Sequence, residues 1–418
     1  MKQFILILFF IMAGISSFAS QILIPMDETQ DNHLKSYGIA FWTLERGVEV
    51  KWLLNYRGGS FVTPYAQEIE NECRIRGVSF EVIADGQANQ ILNEISSPSQ
   101  NMDVVPLQKA PKIAVYTPPN TQPWDDAVTL VLTYAEIPYD KIYDKDIIEG
   151  KLSEYDWLHL HHEDFTGQYG KFYRNYRHMP WYQHEVQTNE QMAQELGFLK
   201  VSEMKLVVSK SIQNYVTSGG FLFAMCAATD TYDIAIAAEN TDICEHMYDG
   251  DPADENMNEK LDYSSTFAFH NFHVEEDPYR YEFSNIDVTE SRKINMRNDY
   301  FSLFEFSAKW DPVPTMLTQN HTRVVKGFMG QTTAYKKELV KPEVLIMGEN
   351  KSAGEARYIH GEYGNGTWTF YGGHDPEDYR HAVGDPPTDL SMYPNSPGYR
   401  LILNNVLFPA AKKKKQKT

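Results

Sequence analysis

The segment that most constrains this chain runs from Tyr215 to Thr231. Gly219 and Gly220 end a helix-like stretch, and Phe221 to Met225 is an apolar run of buried-strand type. Cys226 follows at once, with small residues two before it (Ala224) and two after it (Ala228). A strand-to-helix turn that presents a nucleophile needs this pattern, because larger flanking side chains would strike the turn. Thr229, Asp230 and Thr231 then stand where a helix would begin and its amides would face an anion. The same residues also fit a cysteine that is simply buried in a core strand.

Strands and helices alternate around this segment. Lys112 to Tyr116, Tyr139 to Ile142 and Tyr155 to Leu160 read as strands; Trp124 to Ala135 and part of residues 191–218 read as helices. Such alternation predicts an α/β fold with a parallel sheet covered on both faces. Residues 169–190, rich in Tyr, Arg and His without a clean period, read as an inserted loop, and the acidic residues 239–262 as another. Short strands are expected at 264–269, 313–317, 323–329 and 343–347. Gly364-Asn365-Gly366 reads as a hairpin turn between Arg357–His360 and Thr367–Tyr371, and Tyr399 to Leu407 as a closing helix.

Residues 20–105 read as a small α/β unit. Ile22 to Pro25, Val48 to Tyr56 and Val78 to Ile83 are its strands; Asn32 to Arg46 and Pro64 to Arg76 are its helices, and Ser97 to Asp103 is a linker. So small a unit has little core of its own and is expected to dock on its neighbour. The predicted organisation is a signal peptide at 1–19, the small unit at 20–105, a main domain at 106–411 with insertions near 165–205 and 239–335, and a basic tail at 412–418.

The signal peptide rests on Lys2, an apolar run from Phe4 to Ile15 that is too short to span a bilayer, and a small-x-small site at Ser17-Phe18-Ala19. Export to the periplasm or cell surface is the expectation, with no membrane span. The net charge of −19 argues against nucleic acid as a partner. The three cysteines, Cys73, Cys226 and Cys244, are too few for a disulfide scaffold, although a Cys226–Cys244 bridge would abolish a nucleophile.

A thiol nucleophile needs a base close in space. His374 follows a predicted strand and the turn Gly372-Gly373, which puts it at a strand's carboxyl end, where ligands bind in open α/β sheets. Glu377 or Asp375 could orient its ring. Asp156 to Asp164 holds a second cluster, with His159 and His161 on one strand face and His162 on the other. A metal site through His161 and Glu163 is conceivable, but the spacing matches no metal signature, so these two residues are read as sheet-end lining and no metal is assigned.

Gly219 to Thr231 resembles the elbow segment of trehalose-utilisation (ThuA-like) proteins, which belong to the class I glutamine amidotransferase-like superfamily. Gly366 to Asp375 is similar to their closing segment, and the resemblance spans roughly residues 110–408. It implies a flavodoxin-like parallel sheet. ThuA-like proteins typically carry histidine at the elbow, where this chain has Cys226. Class I amidotransferases place the elbow cysteine between glycines and complete a triad with His-x-Glu; here Ala224, Ala228 and His374-x-x-Glu377 stand instead. The whole chain, through Ile24 to Gln30, Asn32 to Lys35 and Leu54 to Phe61, resembles an exported Bacteroidota family commonly labelled asparagine synthetase B. That label implies glutamine hydrolysis and ATP-dependent synthesis. The mature start, Ser20-Gln21-Ile22, lacks the N-terminal cysteine of that enzyme. Ser218-Gly219-Gly220 opens like an ATP-pyrophosphatase loop but continues as the apolar Phe221-Leu222. ATP-dependent synthesis is not expected, and no cofactor is assigned.

Two functions follow as expectations. The first is an exported amidase or glutaminase-type hydrolase acting on a small-molecule amide. Cys226 would be its nucleophile, His374 its base, and Glu377 or Asp375 the orienter. Amides near Ala227, with Thr229 and Asp230, would bind the oxyanion, and His161 and Glu163 would line the site. The alternative is a non-catalytic envelope module that binds a glycan or peptide through Tyr169, Phe172, Tyr173, Tyr176, Trp181 and Tyr182. Other envelope proteins are further partners to be expected.

Overall fold

The computed structural model describes residues 20–119, 125–311 and 314–411. The expected signal peptide and basic tail lie outside them. No helix among the described residues is long and apolar enough to cross a membrane.

The first unit is an antiparallel sheet in the order β4-β1-β3-β2-β5: β1 Ser20–Ile24, β2 Val50–Leu54, β3 Ser60–Pro64, β4 Glu81–Ala84 and β5 Asp103–Leu107. Helix α1, His33–Glu45, starts where the Asn32 side chain accepts from the Lys35 amide. Helix α2, Gln67–Arg76, ends on Gly77 in the left-handed region. Helix α3, Asp85–Ser96, and strands β3 and β5 differ from expectation: α3 is polar along most of its length, β3 takes Pro64 from the expected helix, and β5 contains Pro106.

The main sheet has ten strands: β6 Ile113–Tyr116, β7 Asp140–Ile142, β8 Trp157–Leu160, β9 Phe221–Met225, β10 Tyr300–Leu303, β11 Val324–Lys326, β12 Tyr335–Lys336, β13 Leu345–Asn350, β14 Glu355–Tyr363 and β15 Gly366–Tyr371. Five of them, in the order β7-β6-β8-β9-β15, are parallel. From β15 outward, β14, β13, β10 and β11 pair antiparallel, and β12 pairs with β14. The fold is α/β, but the sheet is mixed rather than wholly parallel. The tight Gly364-Asn365 turn is the reason: it sends β15 straight back along β14.

Other expectations need correction. Residues 264–269 form no strand, because the Asp233 carboxylate takes the amides of Phe267, Ala268 and Phe269. Pro314–Leu317 is a helical turn. The inserted loop at 169–190 contains helix α6, Pro180–Glu195, with proline in its first turn.

Helices cover both faces of the parallel half. One face, with Val115, Trp157, Phe223 and Met225, packs on α4 (Ala127–Ala135) and α9 (Pro397–Leu407). The other face, with Ala114, Leu158, Leu222 and Ala224, packs on α7 (Val201–Thr217) and α8 (Ala228–Ala237). The first unit shares one continuous core with the α4–α9 face, through Leu34, Tyr37, Ile39 and Phe41 of α1. Arg400, fully buried on α9, donates to Tyr37 Oη and to the carbonyls of Met26 and Gly58. The small unit is docked on the main domain.

Candidate functional site

At the carboxyl end of β9 the chain turns sharply into α8, and Cys226 sits at the turn with φ 50°. Ala224 and Ala228 are fully buried against it. The thiol is buried under the segment Met329–Thr333. A Cβ on Gly330 would stand 3.0 Å from Sγ and 2.8 Å from the His374 amide nitrogen. Burial pushes the thiol up to about 11, against the opposing pull of backbone hydrogen bonds at Thr332, Gln331 and Ala227. Thr229 Oγ1 donates to the Cys226 carbonyl at 2.7 Å. Asp230 accepts from Thr332 Oγ1 at 2.8 Å; burial first, and the Asp287 carboxylate second, push its carboxyl well above the usual range. Asp230 thus ties the covering segment down.

His374 does reach the sheet end, but both its ring nitrogens are engaged elsewhere than at the thiol. Nε2 lies 3.0 Å from the Asp125 carbonyl, and Nδ1 lies 3.0 Å from His161 Nε2. Asp375 accepts from the amides of Glu377 and Asp378 and from Thr388 Oγ1. Glu377 is bonded to the Ser396 side chain, and burial raises its carboxyl. The carboxylates that meet the histidines are instead Asp125, Asp126 and Asp378.

Asp126 caps α4, accepting from the amides of Val128 and Thr129. Its carboxylate also faces His159 Nε2 at 3.2 Å and His161 Nδ1 at 3.5 Å. Burial would raise this carboxyl, yet the two imidazoles hold it well below the usual range. His159 is anchored further by the Phe223 carbonyl, 3.1 Å from Nδ1. Because β8 ends at Leu160, the alternation of faces stops there, and the His162 ring comes to 5.3 Å from His161 and 5.8 Å from His374. The donor nitrogens of His161, His162 and His374 all lie within 4.8 Å of one another. His381 stacks on His374 at 4.7 Å and lies 3.0 Å from Asp125 and 3.1 Å from Asp378. Burial would lower its pKa, but the two carboxylates hold it at about 9.

The outward contacts bear on the tautomers: His374 Nε2 is bonded to the Asp125 carbonyl, whereas His161 Nδ1 only faces the Asp126 carboxylate at 3.5 Å. If His374 Nε2–H donates to the Asp125 carbonyl, a neutral ring presents a bare lone pair at Nδ1. If His161 Nδ1–H faces the Asp126 carboxylate, a neutral ring presents a bare lone pair at Nε2. These two lone pairs then face each other at 3.0 Å. A shared proton or a metal ion relieves that clash. Two nitrogens on one zinc at ~2.0–2.1 Å stand roughly 3.3 Å apart, near the separation found here. Imidazoles backed by carboxylates and carbonyls are also the usual outer support of a metal site.

Glu163 accepts from the His161 amide at 3.0 Å, and burial, then the charge of Asp126, push its carboxyl up to about 7. With His162, Tyr169, Phe172, Glu185 and Lys205 it lines a cavity of about 30 Å³, room for one water. A larger cavity, about 990 Å³, opens at the other end of the sheet against Gly219, Gly220 and Asn365. It is remote from this chemistry.

The structure therefore gathers Cys226, His374, His161, Glu163, Ala227, Thr229 and Asp230 at one sheet end. It adds Asp125, Asp126, His162 and His381, which sequence reasoning left out as site residues. His162 stood in plain view beside His161. The two aspartates and His381 lie in loops that nothing local places there.

No family model matches the chain, and no curated protein matches it. Two solved structures are similar to part of it. One is the cytoplasmic protein STM3548 from Salmonella typhimurium, at 10% identity, and the other the cytoplasmic protein STM1381 from Salmonella typhimurium LT2, at 11%. Each likeness covers 72% of this chain and 100% of the other, with a TM-score of 0.34. At that score the likeness carries no conclusion.

Proposed function

We propose that this protein is a hydrolase whose centre is a divalent first-row metal ion held by His161, His162 and His374. The observation that carries the reading is the grouping of three imidazoles, with ligand nitrogens of His161, His162 and His374 within 4.8 Å of one another and His161 Nε2 and His374 Nδ1 3.0 Å apart. Three imidazoles suit zinc and its neighbours, and leave a position open for water or substrate. When bound, such an ion supplies a Lewis acid and a nucleophilic water at neutral pH. The chain's own part is orientation: the Asp126 carboxylate faces His161, the Asp125 carbonyl holds His374, and the covering segment Met329–Thr333 limits access.

The scaffold reading is flavodoxin-like, of the class I glutamine amidotransferase-like kind. It is supported by the parallel order β7-β6-β8-β9-β15, which in chain order is the 2-1-3-4-5 arrangement. The cluster lies where ligands bind in such sheets. Export to the periplasm or cell surface is part of the proposal and rests on residues 1–19 alone. ATP-dependent asparagine synthesis is not part of it.

The test is metal binding. Chelator-stripped protein titrated with Zn(II) or Co(II) should take up one ion per chain, and the His161→Ala and His374→Ala variants should lose it. Cys226→Ala should keep it. Absence of micromolar uptake by the wild type would sink the reading. One observation favours a second reading, in which Cys226 is the nucleophile of an amidase: its strained φ of 50° belongs to an elbow. In that case amide hydrolysis would survive chelation and vanish in Cys226→Ala.

A further inference from the structure

The segment Met329–Thr333 that covers Cys226 is held on its inner side by two carboxyl groups, bonded to two consecutive residues. Thr332 Oγ1 donates to Asp230 Oδ1 at 2.8 Å, and the Thr333 amide donates to Asp287 Oδ1 at 2.9 Å. Asp230 stands on α8, and Asp287 comes from the insertion ahead of β10. Both side chains are buried, and their second oxygens, Asp230 Oδ2 and Asp287 Oδ2, take no hydrogen bond from the described residues. The titratable groups that face Asp230 are Asp287, Cys226 and Tyr335. Those that face Asp287 are Asp230, Tyr281 and Glu282, and Glu282 is in turn bonded to Glu290. None of these groups is basic; the Arg357 guanidinium acts on Tyr335.

We propose that Asp230 and Asp287 form a proton latch on the covering segment, which holds it shut while the pair keeps a proton and frees it when both are ionised. Two carboxyl groups buried together without a cation do not both ionise without strong repulsion. Burial, then the Asp287 charge, hold Asp230 well above the usual carboxyl range, and burial lifts Asp287 to about 6. Both groups thus bind protons more tightly in the closed protein than in the unfolded chain. Closure is strongest at low pH and weakens as pH rises past both folded-state values, above about 6. The two protons belong to the pair rather than to either residue, and release follows the loss of the second.

The covering segment is the part that gives way. Gln331, Thr332 and Thr333 are buried, but Met329 and Gly330 are half-buried, so the segment reaches from the pair to the surface. Its other ties are hydrogen bonds to loops, not ladder bonds of the sheet. Gln331 Nε2 donates to the carbonyls of Gly170 and Tyr281, and backbone bonds join the segment to Gly373, His374 and Tyr379. Helix α8, by contrast, is fixed in the core. Lifting the segment admits water to both carboxylates. It also uncovers Cys226 Sγ, against which Gly330 lies, and frees the His374 amide, which donates to the Met329 carbonyl. Access to the site then follows pH whichever group there reacts, so the latch does not rest on the metal reading.

The experiment is amide hydrogen exchange of the full chain from pH 5 to pH 9, read as protection factors, which remove the pH dependence of exchange in a free amide. Protection of residues 330–334 should fall by at least about tenfold over that range, while the amides of β9 keep theirs. Asp230→Asn and Asp287→Asn each keep an acceptor oxygen for the covering segment but leave one carboxyl alone, so in both variants the fall should vanish. Thr332→Val, which deletes the hydroxyl bonded to Asp230, should lower protection already at pH 5. Thermal unfolding shows which variants keep the fold, and any one that does decides the matter. Constant protection in the wild type, a fall shared by the β9 amides, a fall that persists in a folded Asn variant, or unaltered protection in folded Thr332→Val would each overturn the latch.

Discussion

Cys226 sits in a turn that suits a nucleophile, but burial raises its thiol to about 11 and His374 points its nitrogens elsewhere. A thiol, not a thiolate, is the form present at neutral pH, and the thiolate is the reactive species. Iodoacetamide should therefore label native Cys226 slowly at pH 7–9, as slowly as Cys73, whose thiol burial lifts to about 12. His374→Ala should leave that rate unchanged; rapid labelling that depends on His374 would restore the amidase reading. A second residue-scale consequence concerns His33 and His321, stacked at 4.3 Å beside Arg400. Burial, then the Arg400 charge, lower His33 to about 4 and His321 to about 3. Both remain neutral in the folded protein while the unfolded chain protonates them below pH 6.5. Stability should be intact above that pH. It should fall as pH drops toward 4, by roughly 1.4 kcal/mol per unit for each histidine. Urea midpoints at pH 7 and pH 5 measure this, and His321→Gln should remove part of the difference.

At the scale of elements, the covering segment is the feature most exposed to a single change. Gly330→Ala would place a methyl group 2.8 Å from the His374 amide nitrogen and 3.0 Å from Cys226 Sγ. The segment must shift, at a cost of about 1–3 kcal/mol. Denaturant unfolding should show that loss, and Cys226 should become easier to label than in the wild type. Local patterns made much of the fold legible: β6, β8, β9, α1, α9 and the Gly364-Asn365 hairpin all lie where periodicity and turn residues put them. The strand expected at 264–269 failed because its amides bond to a carboxylate 34 residues or more upstream. Helix α6 was hidden by its aromatic and polar surface, which packs on Val201 and Met204 of α7 and on Cys244 and Tyr248 rather than on the sheet. The histidine cluster was half visible. His161 and His374 could be placed at strand ends, but the groups that face their outer nitrogens, Asp126 and the Asp125 carbonyl, come from a loop whose position only the assembled sheet determines.

For the whole molecule, Arg400 is the pin between the two units. Arg400→Met would leave Tyr37 Oη and the carbonyls of Met26 and Gly58 without this donor in the interior. A loss of about 3 kcal/mol or more is expected from unsatisfied buried groups. A single cooperative transition at lower denaturant would agree with one shared core; two separate transitions would mean that the units are held by Arg400 alone. The position of β15 has a further consequence, for how the protein is made. Among the described residues this strand is the sole bridge between the parallel strands and the antiparallel ones, yet it is the last of their strands to be synthesised. Until residues 366–371 have left the ribosome, β9 presents an open edge and the hairpin strands have nothing to join. His161 must wait 213 residues for His374. A nascent chain released early would therefore carry an unpaired, apolar strand edge and no histidine centre, which makes premature termination a route to aggregation rather than to a smaller working protein.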